Sequence, residues 1–281
     1  GGGGGGGGSA SGSAVEVTLL SVRRDWRGRG LTRTLLAELR TRAAATGVRC
    51  AIYTTASRRG APLLEARCHH RPLRPGLLVR RRFWELPAGV SAREVRAELP
   101  ALRQAGSGGP APPRLRPVRP SDAAGCRALL AAAAAQGELG VAPGADAFAH
   151  RYLRAPATVS LVAPADAAPA GRPRGFVSFA LQRVRTGRRH VVQAVLVAFA
   201  AAPGESASLL LLAALHAARR RGAHVFNALP LGQLTPRVLL ANGFGRGDGS
   251  THVYVERAGG DEAATPAAVH DARAVSWLPL P

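Results

Sequence analysis

Apolar and polar positions alternate between two periods along this chain, and the changes of period mark its elements. An apolar run over residues 15–22 predicts a strand. Leu31, Leu35, Leu36 and Leu39 then recur at helical spacing, with Arg33, Arg40 and Arg42 off that face, and predict an amphipathic helix over 31–45. Gly47 stops it, and a second strand is expected over 49–54. Strand, helix, strand is a right-handed crossover, so the two strands should be parallel neighbours. A loop and a strand over 77–86 follow. The Gly-Ser-Gly-Gly-Pro-Ala-Pro-Pro run makes 103–114 a linker. Beyond it come a strand over 115–118 and a helix capped by Ser121, with Asp122 in its first turn. A short helical piece is expected near 146–153, then strands near 158–163, 175–184 and 190–198. A helix over 206–221, a strand over 223–228, a helix over 236–241 and a strand over 251–257 complete the order. Helices and strands are interleaved throughout, so the fold class is α/β.

The chemistry concentrates where the first strand meets the first helix. Leu19-Leu20-Ser21-Val22 runs into Arg23-Arg24-Asp25-Trp26-Arg27-Gly28-Arg29-Gly30, and Leu31-Thr32 open the helix. Glycines let the backbone approach a phosphate closely, and the N–H groups of a helix's first turn point outward without partners. The helix dipole and the arginines add positive charge. Strand, basic glycine turn and helix together make a candidate pyrophosphate cradle. A basic turn without a ligand is the alternative.

Composition narrows the classes. The 281 residues suffice for two domains with cores of their own. The formal charge is +21, yet every basic residue is Arg, Met is absent and Ile occurs once, at Ile52. Such a bias belongs to a GC-rich coding sequence, so part of the charge reflects codons, not a partner. Arg219, Arg220 and Arg221 sit where a helix C-terminus favours cations. Basic residues interleaved with aromatics are not evident, and no nucleic-acid partner is expected. The missing Met reads as a fragment or an incomplete start. Cys50, Cys68 and Cys126 are isolated, which suits a reducing compartment, the cytoplasm. Cys68-His69-His70 lacks a second ligand pair at metal spacing, so no metal is expected. The apolar run 209–215 is too short to span a membrane, and no secretory signal opens the chain. Residues 1–14 are a glycine-rich tract expected to be disordered.

Arg27-Gly28-Arg29-Gly30-Leu31 behind a strand resembles the turn with which acyltransferases of the GNAT type hold the pyrophosphate of coenzyme A. A narrower resemblance rests on more residues. The run 15–22 with Arg27 to Thr32 resembles the strand, turn and helix of N-myristoyltransferases, and Ala51-Ile52-Tyr53-Thr54 their next strand. Pro62, Arg67, His70, Arg71 and Leu73 fall on that family's Pro and Arg-x-x-His-Arg-x-Leu positions. In the second half, Leu115-Arg116-Pro117-Val118, His150, Phe176-Val177-Ser178-Phe179 and Val225-Phe226-Asn227-Ala228-Leu229 are similar to family landmarks. Phe244-Gly245-Arg246-Gly247-Asp248-Gly249 is similar to its Phe-Gly-x-Gly-Asp-Gly segment, where Gly247 and Gly249 suggest a tight turn around Asp248.

The resemblance implies a GNAT-like fold in one partial and one complete copy of a pseudo-twofold repeat. The partial half would cover 15–102 and carry the acyl-CoA site, and the half over 115–281 would carry the peptide side. It implies transfer of myristate from myristoyl-CoA, bound as a substrate and not as a resident cofactor, to the N-terminal glycine of proteins. The backbone N–H groups of Leu19 and Leu20 would meet the developing oxyanion. Leu20, Ser21, Val22, Arg27, Gly28, Arg29, Gly30, Leu31 and Thr32 would hold the coenzyme, where the family has Ser-Lys-Arg-Leu-Ala in place of Gly28 to Thr32. His70 and Asn227 are candidate substrate contacts, and a terminal carboxylate on Pro281 would stand where the family has its base. The chain is expected to act as a monomer. A GNAT-like N-acetyltransferase and an inactive scaffold of the same fold are the alternatives.

Overall fold

The computed structural model describes residues 14–17, 21–48, 50–98, 110–137, 140–165 and 173–257. They fall into two compact units, one formed by 14–63 with 252–257 and the other by 64–251.

In the first unit, β1 (Ala14–Val17) pairs in parallel with β2 (Cys50–Thr55), as the crossover through α1 (Leu31–Ala45) requires. The last six residues of β9 (Gly245–Arg257) run antiparallel to β2, from Thr55 opposite His252 to Cys50 opposite Arg257. Tyr53 and Tyr254 stack across this pair with ring centroids 5.2 Å apart, and the Arg59 N–H donates to the Tyr254 hydroxyl at 2.6 Å. Arg40 of α1 pairs with Glu256. The helix starts and stops where its period predicts, but its leucine stripe is not buried. Leu35 and Leu39 are 44% and 45% exposed, and no residue of α1 is buried. Two short strands and six residues of β9 are the described sheet of this unit, too little surface to cover the stripe.

The second unit is built on the strand order β9-β3-β8-β7-β6-β5-β4. Its strands are β3 (Leu64–Pro72), β4 (Arg116–Pro117), β5 (Thr158–Ala163), β6 (Gly175–Thr186), β7 (Arg189–Ala201), β8 (Val225–Ala228) and the start of β9. β7 and β8 are parallel, while β3–β8, β4–β5, β5–β6 and β6–β7 are antiparallel. Alternate strand residues point to opposite faces. Leu161, Val177, Phe179 and Phe226 meet Leu210, Leu211 and Leu215 of α6 (Ala207–Arg220), capped by the Ser206 side chain. Val162, Phe176 and Val197 meet Cys126, Leu130, Phe148 and Tyr152 from α4 (Ala123–Ala134), α5 (Ala145–Phe148) and the π-helical turn that continues α5.

Three expectations change. Residues 77–86 are not a strand: Pro75, free of any need to donate, opens the short helix α2 (Pro75–Arg80), which buries Leu78. The strand lies earlier, at β3, where His69 and Arg71 occupy buried positions that a hydrophobic pattern would fill with apolar residues. The N-cap position of α4 is Asp122, not Ser121, and its side chain turns back to the preceding residues and makes no cap bond to the helix. Its carboxylate accepts the Arg119 N–H at 2.7 Å and pairs with Arg116 at 2.6 Å, and Arg116 holds it below the usual carboxylate range. The Gly247–Gly249 segment is strand, not turn, because β9 already begins at Gly245. A seven-residue helix, α3 (Ala92–Glu98), and α7 (Pro236–Ala241), capped by Thr235, complete the unit.

Candidate functional sites

Within the first unit, the basic turn has the form a phosphate cradle needs. A 3-10 turn over Arg24–Trp26 leaves the strand direction, and Arg27 Nε ties the turn together by donating to the Val22 carbonyl at 3.0 Å. Gly28 and Gly30 have φ of +80° and +74°, in the left-handed region that other residues enter only at a cost. Gly30 is the N-cap of α1 and has no side chain with which to cap that end. The N–H groups of Leu31 and Thr32, at the positive end of the dipole, are thus left for a ligand. A Cβ at either glycine would meet no atom within 4 Å, so backbone angle, not crowding, demands glycine there. The Arg29 guanidinium lies 5.1 Å from the Trp26 ring centroid, and Arg23 pairs with Asp25 at 2.7 Å, both on the surface. Ser21, Arg27, Gly28, Arg29, Gly30 and Thr32 are exposed, with Val22 and Leu31 half-buried. Leu19, Leu20 and Pro281 lie outside the described residues.

Within the second unit, a chain of hydrogen bonds crosses four strands. His70 Nδ1 meets Asn227 Oδ1 at 2.8 Å, Asn227 Nδ2 donates to Gln193 Oε1 at 2.9 Å, and Gln193 Nε2 donates to Gln182 Oε1 at 2.9 Å. The links follow the register, which sets His70 opposite Asn227 and Gln182 opposite Gln193. Every amide donates in the same direction. Asn227 therefore presents a carbonyl oxygen to the imidazole, which must donate from Nδ1, and His70 Nε2 is left as the acceptor nitrogen of the neutral ring. That nitrogen lies against Gly247, where a Cβ would stand 2.1 Å from it. Glycine is required here for close approach. All four members of the chain are half-buried.

His70 and Asn227, both named from the sequence, are thus brought together. Gln182 and Gln193 were not anticipated, because a glutamine on an alternating strand gives no signal until its cross-strand neighbour is known. His69, on the opposite face of β3 from His70, is buried and bonds the Arg67 carbonyl at 3.0 Å, and burial lowers its pKa. His150 is exposed in the turn after α5. Burial pushes the Cys126 thiol up to about 12, which leaves it inert. Among the described residues no three His, Cys, Asp or Glu side chains gather as a metal site.

Comparison with solved structures places the fold. Three structures of Saccharomyces cerevisiae N-myristoyltransferase with bound myristoyl-CoA, one of them also with inhibitors, superimpose on this chain. Their TM-scores are 0.69, 0.68 and 0.72, at 24%, 24% and 23% identity over 87%, 86% and 96% of the chain. This chain has the N-myristoyltransferase fold. That fold is GNAT-like, so the α/β, GNAT-like fold class expected from the sequence holds. The chain spans 60–66% of the length of those N-myristoyltransferases. No protein-family model matches it, and no curated protein sequence does. No described helix is long and apolar enough to cross a membrane.

Proposed function

We propose that this chain is an acyltransferase that takes myristate from myristoyl-CoA and transfers it to the N-terminal glycine of a protein. The observation that carries the proposal is the uncapped start of α1 behind Gly28 and Gly30, in a chain with the fold of proteins crystallised with myristoyl-CoA. In this reading Leu20, Ser21, Val22 and Arg27 to Thr32 hold the coenzyme, its pyrophosphate at the Gly28 to Thr32 turn, and the main-chain N–H groups of Leu19 and Leu20 serve the oxyanion. The His70–Asn227–Gln193–Gln182 chain presents hydrogen-bonding groups to the backbone of the acceptor peptide, and the Pro281 carboxylate takes the amine proton. The enzyme works as a monomer in the cytoplasm. A second reading, N-acetyl transfer, is favoured by Arg27-Gly28-Arg29-Gly30 alone, which is closer to the general GNAT turn than to the N-myristoyltransferase one.

Calorimetric titration with myristoyl-CoA and acetyl-CoA separates the two. Selective binding of myristoyl-CoA, weakened about tenfold or more in Gly30→Val as the left-handed N-cap is lost, is the expected result. Preference for acetyl-CoA would favour the second reading. Failure of a folded chain to bind either would leave an inactive scaffold.

A further inference from the structure

We infer that the second unit carries a docking surface for anionic lipid bilayers, built from the arginines around α2 and the exposed Phe83 and Val90 that follow it. Hydrogen bonds to main-chain carbonyls gather these arginines from three parts of the chain. Arg81 donates to the His190 carbonyl at the start of β7. Arg189 Nη1 returns a bond to the Arg80 carbonyl at 2.5 Å, and Arg74 Nη2 donates to the Arg219 carbonyl at the end of α6, at 3.4 Å. The cations thus assembled include Arg74, Arg80, Arg82, Arg188, Arg189 and Arg220, all exposed. None of them appears in an ion pair among the described residues, whereas Arg23, Arg40, Arg42, Arg116 and Arg174 elsewhere each hold a carboxylate. Codon bias accounts for many arginines but not for cations drawn together by reciprocal carbonyl bonds with no ion pair among the described residues.

Two further observations favour a bilayer. Phe83 and Val90 are 37% and 39% exposed, and with Leu240 they are the large exposed hydrophobics described in this unit. A cluster of cations followed directly in the chain by uncovered apolar side chains matches a surface of phosphates over hydrocarbon. Nucleic acid would use the charge and leave Phe83 and Val90 without a role. The second observation is backbone. The Arg82 and Phe83 N–H groups close α2 by donating to Val79 and Leu78 at 2.9 and 3.0 Å, with Arg82 at φ +54°. Glycine is the residue this position favours, and Arg82 is the described non-glycine residue with positive φ. The chain keeps a guanidinium there against its backbone preference.

The test is co-sedimentation of the full chain with phosphatidylcholine vesicles and with vesicles that also contain phosphatidylserine. Preference for the anionic vesicles is expected. Replacing Arg80, Arg188 and Arg220 by Gln (R80Q/R188Q/R220Q) leaves the carbonyl bonds intact and should weaken partitioning about fivefold per arginine. R119Q/R154Q/R237Q removes the same charge elsewhere in the unit and should keep binding within about twofold, as charges beyond a Debye length are screened. F83S/V90S should weaken binding at high salt, where the charge contribution has faded. Arg82→Gly should raise the unfolding temperature while weakening vesicle binding, a pair of opposite changes that misfolding cannot produce. Equal binding to both vesicles, equal loss in the two triple variants, or tighter binding to polyuridylate that ignores F83S/V90S would each overturn the inference.

Discussion

Single side chains set the chemistry of the second unit. The direction of the amide chain fixes the His70 tautomer, and Gly247 gives the ring its place. Gly247→Ala would drive a methyl into Nε2, with the Cys68 carbonyl also only 3.2 Å from it, so the ring must leave its bond to Asn227. Urea denaturation of that variant should show a loss of about 1–3 kcal/mol, the usual cost of overpacking. Nitrogen NMR of the imidazole should show the tautomer preference relaxed. If the ring nitrogens keep their shifts, the chain of amides does not govern His70. None of this was legible from the sequence. His70 and Asn227 could be singled out by resemblance, but their bond joins residues 157 apart, and the Gln193 link spans 34 more. The Arg-Gly-Arg-Gly turn was legible because its parts are local: a glycine N-cap and the helix behind it are neighbours in the chain.

Elements were readable wherever one period ran uninterrupted. α1, β5 and α7 have the predicted bounds, and α6 differs only in the assignment of its capping residues. β3 was hidden because its inward positions include His69 and Arg71, which a hydrophobic pattern cannot register. Arg71 is 3% exposed, and its Nη1 donates at 2.7 Å to the carbonyl of Asn242, the C-cap of α7. Asn242 in turn donates to Ser208 and to the Val238 carbonyl, so one arginine fastens β3 to α6 and α7. Burial pushes its pKa down to about 10, still charged at neutral pH. Arg71→Met keeps the apolar stem and leaves that carbonyl unsatisfied. A destabilisation of about 2–3 kcal/mol by thermal or urea unfolding is expected, and a neutral result would mean that water serves the carbonyl equally well.

For the whole molecule, the charge of +21 sets a self-repulsion that acidification can only increase. Two histidines add to it. Burial holds His69 and His224 below the ordinary histidine value, and for His224 the Arg81 and Arg74 charges act in the same direction. His224 Nδ1 accepts the Val192 N–H at 3.0 Å, a bond that only the unprotonated nitrogen can make. Because their folded pKa values are depressed, the unfolded chain binds these protons first. Their stabilisation is present above about pH 6.5 and is lost as the pH falls below it. The unfolding temperature should therefore drop between pH 7.5 and 5.5, and His224→Gln should flatten part of that slope. A curve flat through this interval would contradict the buried neutral histidines.

The split membership of β9 also bears on how the protein is made. Its first residues belong with 64–251, whereas 252–257 complete the sheet of 14–63, a segment made well before them. β2 leaves the ribosome with one flank open and receives its antiparallel neighbour about 200 residues later, roughly 10–40 s at ordinary elongation rates. For that interval Ile52 and the Tyr53 ring lack the strand that covers them, and an open edge of that kind is what chaperones bind and what aggregates grow from. The order of synthesis thus runs against the order of closure, and the sheet that holds β2 is finished only once the end of β9 has followed it.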